Sequence, residues 1–406
     1  MDFQLLFESN TVILHIIKVY VGSEALWENN YLPDELKSNT LGKGQAFFLD
    51  TSPVEIGSLV SIEEFKHFLS ENGFHENILN NDNGSNRLFL LVDKEKNITP
   101  FFSFKDEDKL FKISTVVENE NVDRRQSDLR LLKDKKVGIV GVGSLGSKVA
   151  NSLARTGVES FLLIDEDVFL SGNIQRHTLD WRSVGAHKID AIQEQLKLIS
   201  SSIEVNTSTI NLTGQESASA LNAVVSRLGA CDVIVDATAD SKVFNLLAAL
   251  CERYDKPLVL GEVFAGGIGG LISRSRRRLD PGPQTMRKAL FETTHDVPTI
   301  SQVEVRPYEL ESETGEVWIA SDIDVGVIAN HLAGFIIYTL KEGESDYPYS
   351  MYLIGLKKAW IFEEPFATFP IRTDHLIEEK LTDENHQNIK EVIEFLVPLL
   401  KGSKGD

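Results

Sequence analysis

Between Lys135 and Glu262 the apolar positions switch repeatedly between unbroken β-branched runs and a spacing of three to four. Val137–Val140 reads as a short strand, and Leu145–Arg155 carries apolar residues at helical spacing before stopping at Gly157. The alternation continues with a strand at Phe161–Ile164, a helix at Lys188–Ile199, a strand at Ile203–Thr207 and a helix at Glu216–Leu228. It closes with Val233–Val235 as a strand, Lys242–Tyr254 as a helix and Leu258–Glu262 as a strand. Strands separated by helices of this length predict an α/β fold with a parallel, doubly wound sheet. Such sheets bind ligands at the carboxyl ends of their strands.

The flanking regions follow other patterns. Residues 1–115 mix apolar runs (Thr11–Val21, Leu88–Val92), polar turns such as Asn80–Ser85 and one helical stretch at Ile62–Glu71. They predict a smaller N-terminal α+β domain in which no chemistry stands out. A charged connector, Glu118–Gln126, leads into a central region over 116–345. Near its end, Asp322–Leu340 is a helix apolar on most faces, expected to pack on the sheet or on a second subunit. The extension 346–406 offers strands at Met351–Gly355 and Ala359–Phe362, a candidate hairpin platform for a protein substrate. It also offers an amphipathic helix at Asn385–Leu396, a core helix by default and a partner-docking helix in the alternative.

Composition narrows the function classes. The chain has 406 residues and a formal net charge of −20, with 61 acidic against 41 basic residues, which argues against a nucleic-acid binder. No apolar run approaches the roughly 20 residues of a membrane helix, and Asp2 and Glu8 stand where a signal peptide carries basic residues. A cytoplasmic protein is expected. Arg274, Arg276, Arg277 and Arg278 form the one basic cluster, either a solvated loop or a seat for an anion or acidic partner. Two cysteines, Cys231 and Cys251, exclude a disulfide framework and a four-thiolate zinc site.

Gly141-Val-Gly143-Ser144-Leu145-Gly146 follows a strand and opens a helix. Glycines there permit a tight turn and let helix N–H groups face a phosphate. Asp165 ends the next strand, where it can hydrogen-bond a ribose hydroxyl. This combination indicates a nucleotide site without separating NAD from ATP. Asp167, Asn173, Arg176 and Lys188 follow in close succession. A dehydrogenase has no chemical use for such a set. An adenylating enzyme does, because it holds three phosphates while a carboxylate attacks the α-phosphorus and pyrophosphate departs.

From Leu132 to about Leu340 the chain resembles the ThiF/MoeB/HesA family, the adenylation domains shared with ubiquitin-activating enzymes. The likeness rests on the glycine loop, the stretch from Asp165 to Arg176, Lys188, and the turn Asp236-Ala-Thr-Ala-Asp240. It includes Arg125, where the family carries an arginine that reaches into the partner subunit's ATP site. The resemblance implies a Rossmann-like adenylation domain that uses ATP and Mg2+ to activate the terminal glycine carboxylate of a ubiquitin-like protein, in a homodimer. Leu132–Gly146 and Ala150–Leu153 most resemble bacterial members found beside conjugating enzymes, so a conjugating-enzyme-like partner is implied as well. The alternatives are a sulfur-carrier adenylyltransferase, a non-catalytic nucleotide-binding scaffold and an NAD-dependent oxidoreductase.

Two departures from the family pattern stand out. The family's metal-binding aspartate is replaced by Ala239, with Asp240 one place later as either the metal ligand or a helix cap. The crossover at 273–321 contains no cysteine, although family members that form a thioester carry one there. Either the acyl-adenylate passes directly to an acceptor, or a hydroxyl replaces the thiol, or a cysteine was removed by design. Ser321, just before the helix at Asp322, is the first candidate hydroxyl, with Ser301, Ser312 and Thr314 as alternatives. Ser321 also reads as an N-cap.

Overall fold

The computed structural model describes residues 18–21, 24–28, 34–37, 44–50, 59–75, 87–95, 97–104, 108–114, 126–294, 309–311, 317–341, 346–359 and 361–373. Arg125, Ser301, Ser312, Thr314 and the 385–396 stretch lie outside them. The chain divides into two compact units, one of residues 1–28 with 34–124 and one of residues 29–33 with 125–406.

The first unit holds a hairpin of β1 (Lys18–Val21) and β2 (Glu24–Glu28), a short helix α1 (Asp34–Lys37) and a five-stranded sheet. The sheet order is β3 (Gly44–Phe48), β5 (Arg87–Val92), β6 (Ile98–Ser103), β7 (Lys109–Lys112) and β4 (Leu59–Ser61). Helix α2 (Ile62–Glu71) begins with a reciprocal cap between Ser61 and Glu64, which satisfies two of its orphan N–H groups. Its buried Phe65 and Leu69 close the core with Phe47, Phe89, Leu91, Phe101 and Leu110.

The second unit is built on an eight-stranded sheet ordered β10-β9-β8-β11-β12-β13-β16-β17. Its strands are β8 (Lys136–Val140), β9 (Ser160–Ile164), β10 (Glu204–Ser208), β11 (Val233–Asp236), β12 (Leu258–Phe264), β13 (Gly269–Ser275), β16 (Met351–Gly355) and β17 (Thr368–Pro370). A separate two-stranded ribbon joins β14 (Glu309–Glu311) to β15 (Val317–Ile319). The helices are α3 (Ser144–Thr156), α4 (Lys188–Lys197), α5 (Ala218–Gly229), α6 (Ser241–Tyr254), α7 (Pro283–Thr294) and α8 (Asp322–Leu340). The first five strands of that order are mutually parallel and the remaining three antiparallel. The chain runs from β8 outward to β9 and β10, then returns to place β11 on the other side of β8. That reversal opens a crevice at the carboxyl ends of β8 and β11, the usual ligand position in such sheets.

Helix α8 packs on the sheet as expected, but it corrects the reading that no apolar run approaches membrane length. It has 19 residues and is apolar enough to cross a membrane by length and composition. In this fold it serves as the core, with Val325, Ile328, Ala329, Leu332, Phe335 and Ile336 fully buried alongside Val149, Leu153 and Val259. A helix apolar on nearly every face is what a position between a sheet and a second helix demands.

Two smaller corrections follow. Ala359–Phe362 forms one isolated bridge rather than a strand, and the partner of β16 is β17 at Thr368–Pro370. The arginine cluster is not a solvated loop throughout. Arg274 is buried over the Phe335 ring at 4.7 Å, and Arg276 holds the buried Asp280 at 2.7 Å. A guanidinium can be buried when a carboxylate and an aromatic face replace its water.

Candidate functional site

The glycine loop is shaped by close backbone approach. Gly141 lies at φ +84, and a side chain there would meet Thr238 and the Ala237 carbonyl at about 3 Å. A Cβ on Gly146 would sit 1.9 Å from the Gly141 carbonyl oxygen, so the loop folds against its own helix with no room for a methyl group. Gly143 has open space around it. It is the N-cap of α3 and supplies no side chain, so the first N–H groups of that helix are left for a ligand. Ser144 is half-buried at the helix start. The Leu145 side chain is buried in the core, which leaves only its backbone amide to serve a nucleotide.

Asp165 at the end of β9 grips this loop. Its Oδ2 accepts from the Val142 N–H at 2.7 Å and its Oδ1 from the Asp167 N–H at 2.9 Å. Each oxygen keeps a lone pair for a ribose hydroxyl. Burial raises the Asp165 pKa, while the Lys188 ammonium opposes that rise. His177 secures the loop from the other side. Its Nδ1 accepts from the Leu179 N–H at 3.2 Å, which fixes Nε2–H as donor to the Val142 carbonyl at 2.9 Å. Burial pushes His177 down to about 4, so the ring stays neutral beside Phe169.

The cationic residues stand next to this frame. Lys188 opens α4, is buried, and places Nζ 2.6 Å from Asp167 Oδ2. Asn173 turns its side-chain oxygen to the Leu170 N–H at 2.9 Å, holding the short turn that delivers the half-buried Arg176. Nothing in the sequence pattern marked His177 as a clamp on the loop. Its signal was only a histidine beside the arginine, which carries no direction in space.

The second strand end, after β11, behaves differently. Asp236 Oδ1 accepts from the Thr238 N–H at 3.0 Å and its hydroxyl at 2.7 Å. Asp236 Oδ2 is buried and without a hydrogen-bond partner among the described residues, and burial pushes this carboxyl up to about 6. Ala239 takes the left-handed conformation at φ +55. Asp240 is the N-cap of α6, with Oδ1 accepting from the Lys242 N–H at 2.6 Å and the Val243 N–H at 3.1 Å. A magnesium ion carried by nucleotide phosphates commonly takes one protein carboxylate; both N-cap bonds of Asp240 fall on Oδ1, so its Oδ2 is the oxygen that residue could offer.

Ser321 caps α8. Its hydroxyl accepts from the Asp324 N–H at 3.2 Å and donates to Asp324 Oδ2 at 2.8 Å, while the Ser321 N–H reaches the same carboxylate. Lys148 on α3 pairs with Asp322 at 2.5 Å, tying this helix start to the helix that opens at the glycine loop. Cys231 and Cys251 are both buried, and burial pushes them to about 11 and about 12. Neither is a nucleophile at neutral pH.

Comparison with known proteins gives the lineage. Over 125 residues the chain is 38% identical to the ATP-dependent ubiquitin transferase-like protein Cap2 of Enterobacter hormaechei subsp. hoffmannii, covering 31% of this chain and 20% of that protein. It is 33% identical over 131 residues to the molybdopterin-synthase adenylyltransferase of Escherichia coli, covering 32% of this chain and 50% of that enzyme. The chain thus spans between a fifth and a half of these relatives. Among solved structures, E. coli MccB with ATP matches at 18% identity and a TM-score of 0.46, over 60% of this chain and 66% of that one. The ThiF family profile matches residues 119–339, more than half of the sequence and the whole of the loop, clamp and cation set just described, and the chain belongs to the ThiF family.

Proposed function

We propose that the protein is an ATP-dependent adenylyltransferase that activates the C-terminal carboxylate of a ubiquitin-like protein. The observation that carries this reading is the uncapped start of α3 at the sheet's switch point, with buried Lys188 and half-buried Arg176 beside it. The α3 N–H groups receive phosphate oxygens, and Asp165 receives the ribose. Lys188, which has three donors, keeps Asp167 with one and offers the others to phosphate. A substrate carboxylate oxygen then attacks the α-phosphorus, the bond to the β-phosphate breaks, and Arg176 and Lys188 stabilise the charge on departing pyrophosphate. Magnesium, where it accompanies ATP, would supply further charge neutralisation and would be held by Asp240.

The relatives support a protein-like acyl substrate by their names, one as ubiquitin transferase-like and one as an adenylyltransferase. The absence of a crossover cysteine and the capped state of Ser321 favour direct transfer from the adenylate over a covalent enzyme intermediate. A homodimer that shares Arg125 between sites, and a conjugating-enzyme-like partner, complete the proposal. The deciding measurement is ATP–pyrophosphate exchange with and without candidate ubiquitin-like proteins. Exchange that appears only with one of them is expected; a lack of exchange with every one overturns the reading.

A further inference from the structure

A second feature lies on the opposite side of β11 from the glycine loop. Helix α7 covers a cavity of about 360 Å³ over β12, β13 and β16, walled by Leu258, Leu260, Leu271, Met286 and Leu353 among others. Along β12 the residues Leu258, Leu260, Glu262 and Phe264 share the face that lines it, as the two-residue period of a strand requires. Glu262 is thus an acid set into an apolar row. Its carboxylate has no hydrogen-bond or salt-bridge partner among the described residues. Asp236 lines the same cavity, and its Oδ2 is likewise unpartnered.

The nearest balancing charge falls short. Arg287 on α7 lines the cavity, but its guanidinium donates to the Ser241 hydroxyl at 2.8 Å and lies over Phe244 and Phe291 at 5.1 and 5.8 Å. One arginine therefore faces Asp236, Glu262 and the helix-capping Asp240. A buried carboxylate oxygen and a half-buried carboxylate that lack donors are costly unless something arrives to pair with them. Burial raises both pKa values; the Asp236 charge adds to the rise at Glu262, and the Asp240 charge to the rise at Asp236.

Position supplies the rest. The cavity begins at Asp236 and Ala239, on the same turn whose Ala237 and Thr238 touch Gly141. An occupant seated there has one end next to the place where an adenylate forms. The described cysteines are buried, and no thiol occurs in the crossover. From this juxtaposition we infer that the cavity beneath α7 is an acyl-acceptor site that takes a primary amine on an apolar stem. The inference rests on the adenylation reading.

The amine enters as an ammonium ion, paired with Glu262 and Asp236, while its stem fills the space between the leucines and Met286. One carboxylate takes a proton from the ammonium. The freed nitrogen lone pair attacks the acyl carbon of the adenylate, the C–N bond forms, and the C–O bond to the phosphate breaks. AMP leaves with the electron pair, and the second nitrogen proton passes to solvent or to the other carboxylate. No oxidant or reductant is consumed.

The test uses the full chain and two probes of equal length, n-hexylamine and n-hexanol, titrated calorimetrically. Hexylamine is expected to bind at least about tenfold more tightly, because a hydrogen bond to a charged group contributes more than one between neutral groups. Glu262→Gln, which keeps the side chain's shape, is expected to erase that preference. Equal binding of the two probes to the unaltered protein overturns the inference, whatever the variant does. With a carrier that supports pyrophosphate exchange, hexylamine should appear on that carrier as an amide, read as a mass gain of the amine less one water. Exchange without the amide, despite selective amine binding, would assign the cavity to a basic residue of the acyl substrate and overturn the acceptor role. A missing exchange with selective binding intact counts against the adenylation reading alone.

Discussion

The two strand ends that flank the switch point differ in how their polar groups are satisfied. After β8 and β9 nearly everything is paired within the chain: Asp165 with two backbone N–H groups, His177 with the loop carbonyl, Lys188 with Asp167. After β11 and β12 less is satisfied: buried Asp236 Oδ2 and half-buried Glu262, set against aliphatic walls, have no hydrogen-bond partner among the described residues. The first half is a preorganised frame whose open donors are the first N–H groups of α3 and the remaining donors of the Lys188 ammonium. The second half stores unfavourable charge, which a bound group can relieve. Preorganisation suits a nucleotide whose geometry never varies, whereas an unpaired acid suits a ligand that brings its own donors.

Lys188→Ala gives the largest expected effect on this contrast. Removing one transition-state charge donor typically costs about 3–4 kcal/mol, so carrier-dependent pyrophosphate exchange should fall at least about a hundredfold. Near-normal exchange would place the phosphates outside the preorganised half.

Asp236→Asn probes the other half through pH. With its folded pKa raised to about 6, Asp236 holds a proton in the native state over a range in which the unfolded chain has lost it. Native protein therefore binds more protons, and stability falls as pH rises from the ordinary aspartate range near ~4 to about 6. The destabilisation, on the order of 2–3 kcal/mol, is then constant above that pH. Denaturant titrations should show the unaltered protein losing ground to Asp236→Asn across that interval, with no further change by pH 8. A constant difference at every pH would mean that the carboxyl is not the strained group.

Ser321→Ala carries the smallest effect. Losing an N-cap costs about 1 kcal/mol, seen as a lower midpoint of thermal unfolding, with pyrophosphate exchange unchanged. Exchange that is intact while an enzyme–carrier adduct disappears would return Ser321 to the role of nucleophile.

Much of this was legible in the linear pattern because it depends on local periodicity. The alternation of β-branched runs with helical spacing predicted the strands of the parallel sheet to within a residue or two, and it marked Ile62–Glu71 and Asp322–Leu340 with the bounds observed. The glycine loop and Asp165 were legible because strand–turn–helix geometry is a property of short segments. Ala359–Phe362 was misread because four apolar residues after a strand suit a second strand as well as a turn, and the pairing with Thr368–Pro370 is settled by sheet register. Between a solvated loop and a seat for an acidic group, the sequence leaves Arg274 open, because its aromatic neighbour Phe335 comes from α8, far along the chain.

The sequence by itself therefore determined the alternating strands and helices, the glycine loop and the residue types that follow it, since each is encoded in the periodicity of single short segments. Tertiary structure alone decided which charges end up paired. Lys188 meets Asp167 across 21 residues, His177 reaches the Val142 carbonyl across 35, and Glu262 is brought to Asp236 under a helix from the crossover. A carboxylate's cost or use depends on the dielectric and the donors around it. Those surroundings exist only once β11, β12 and α7 have packed together.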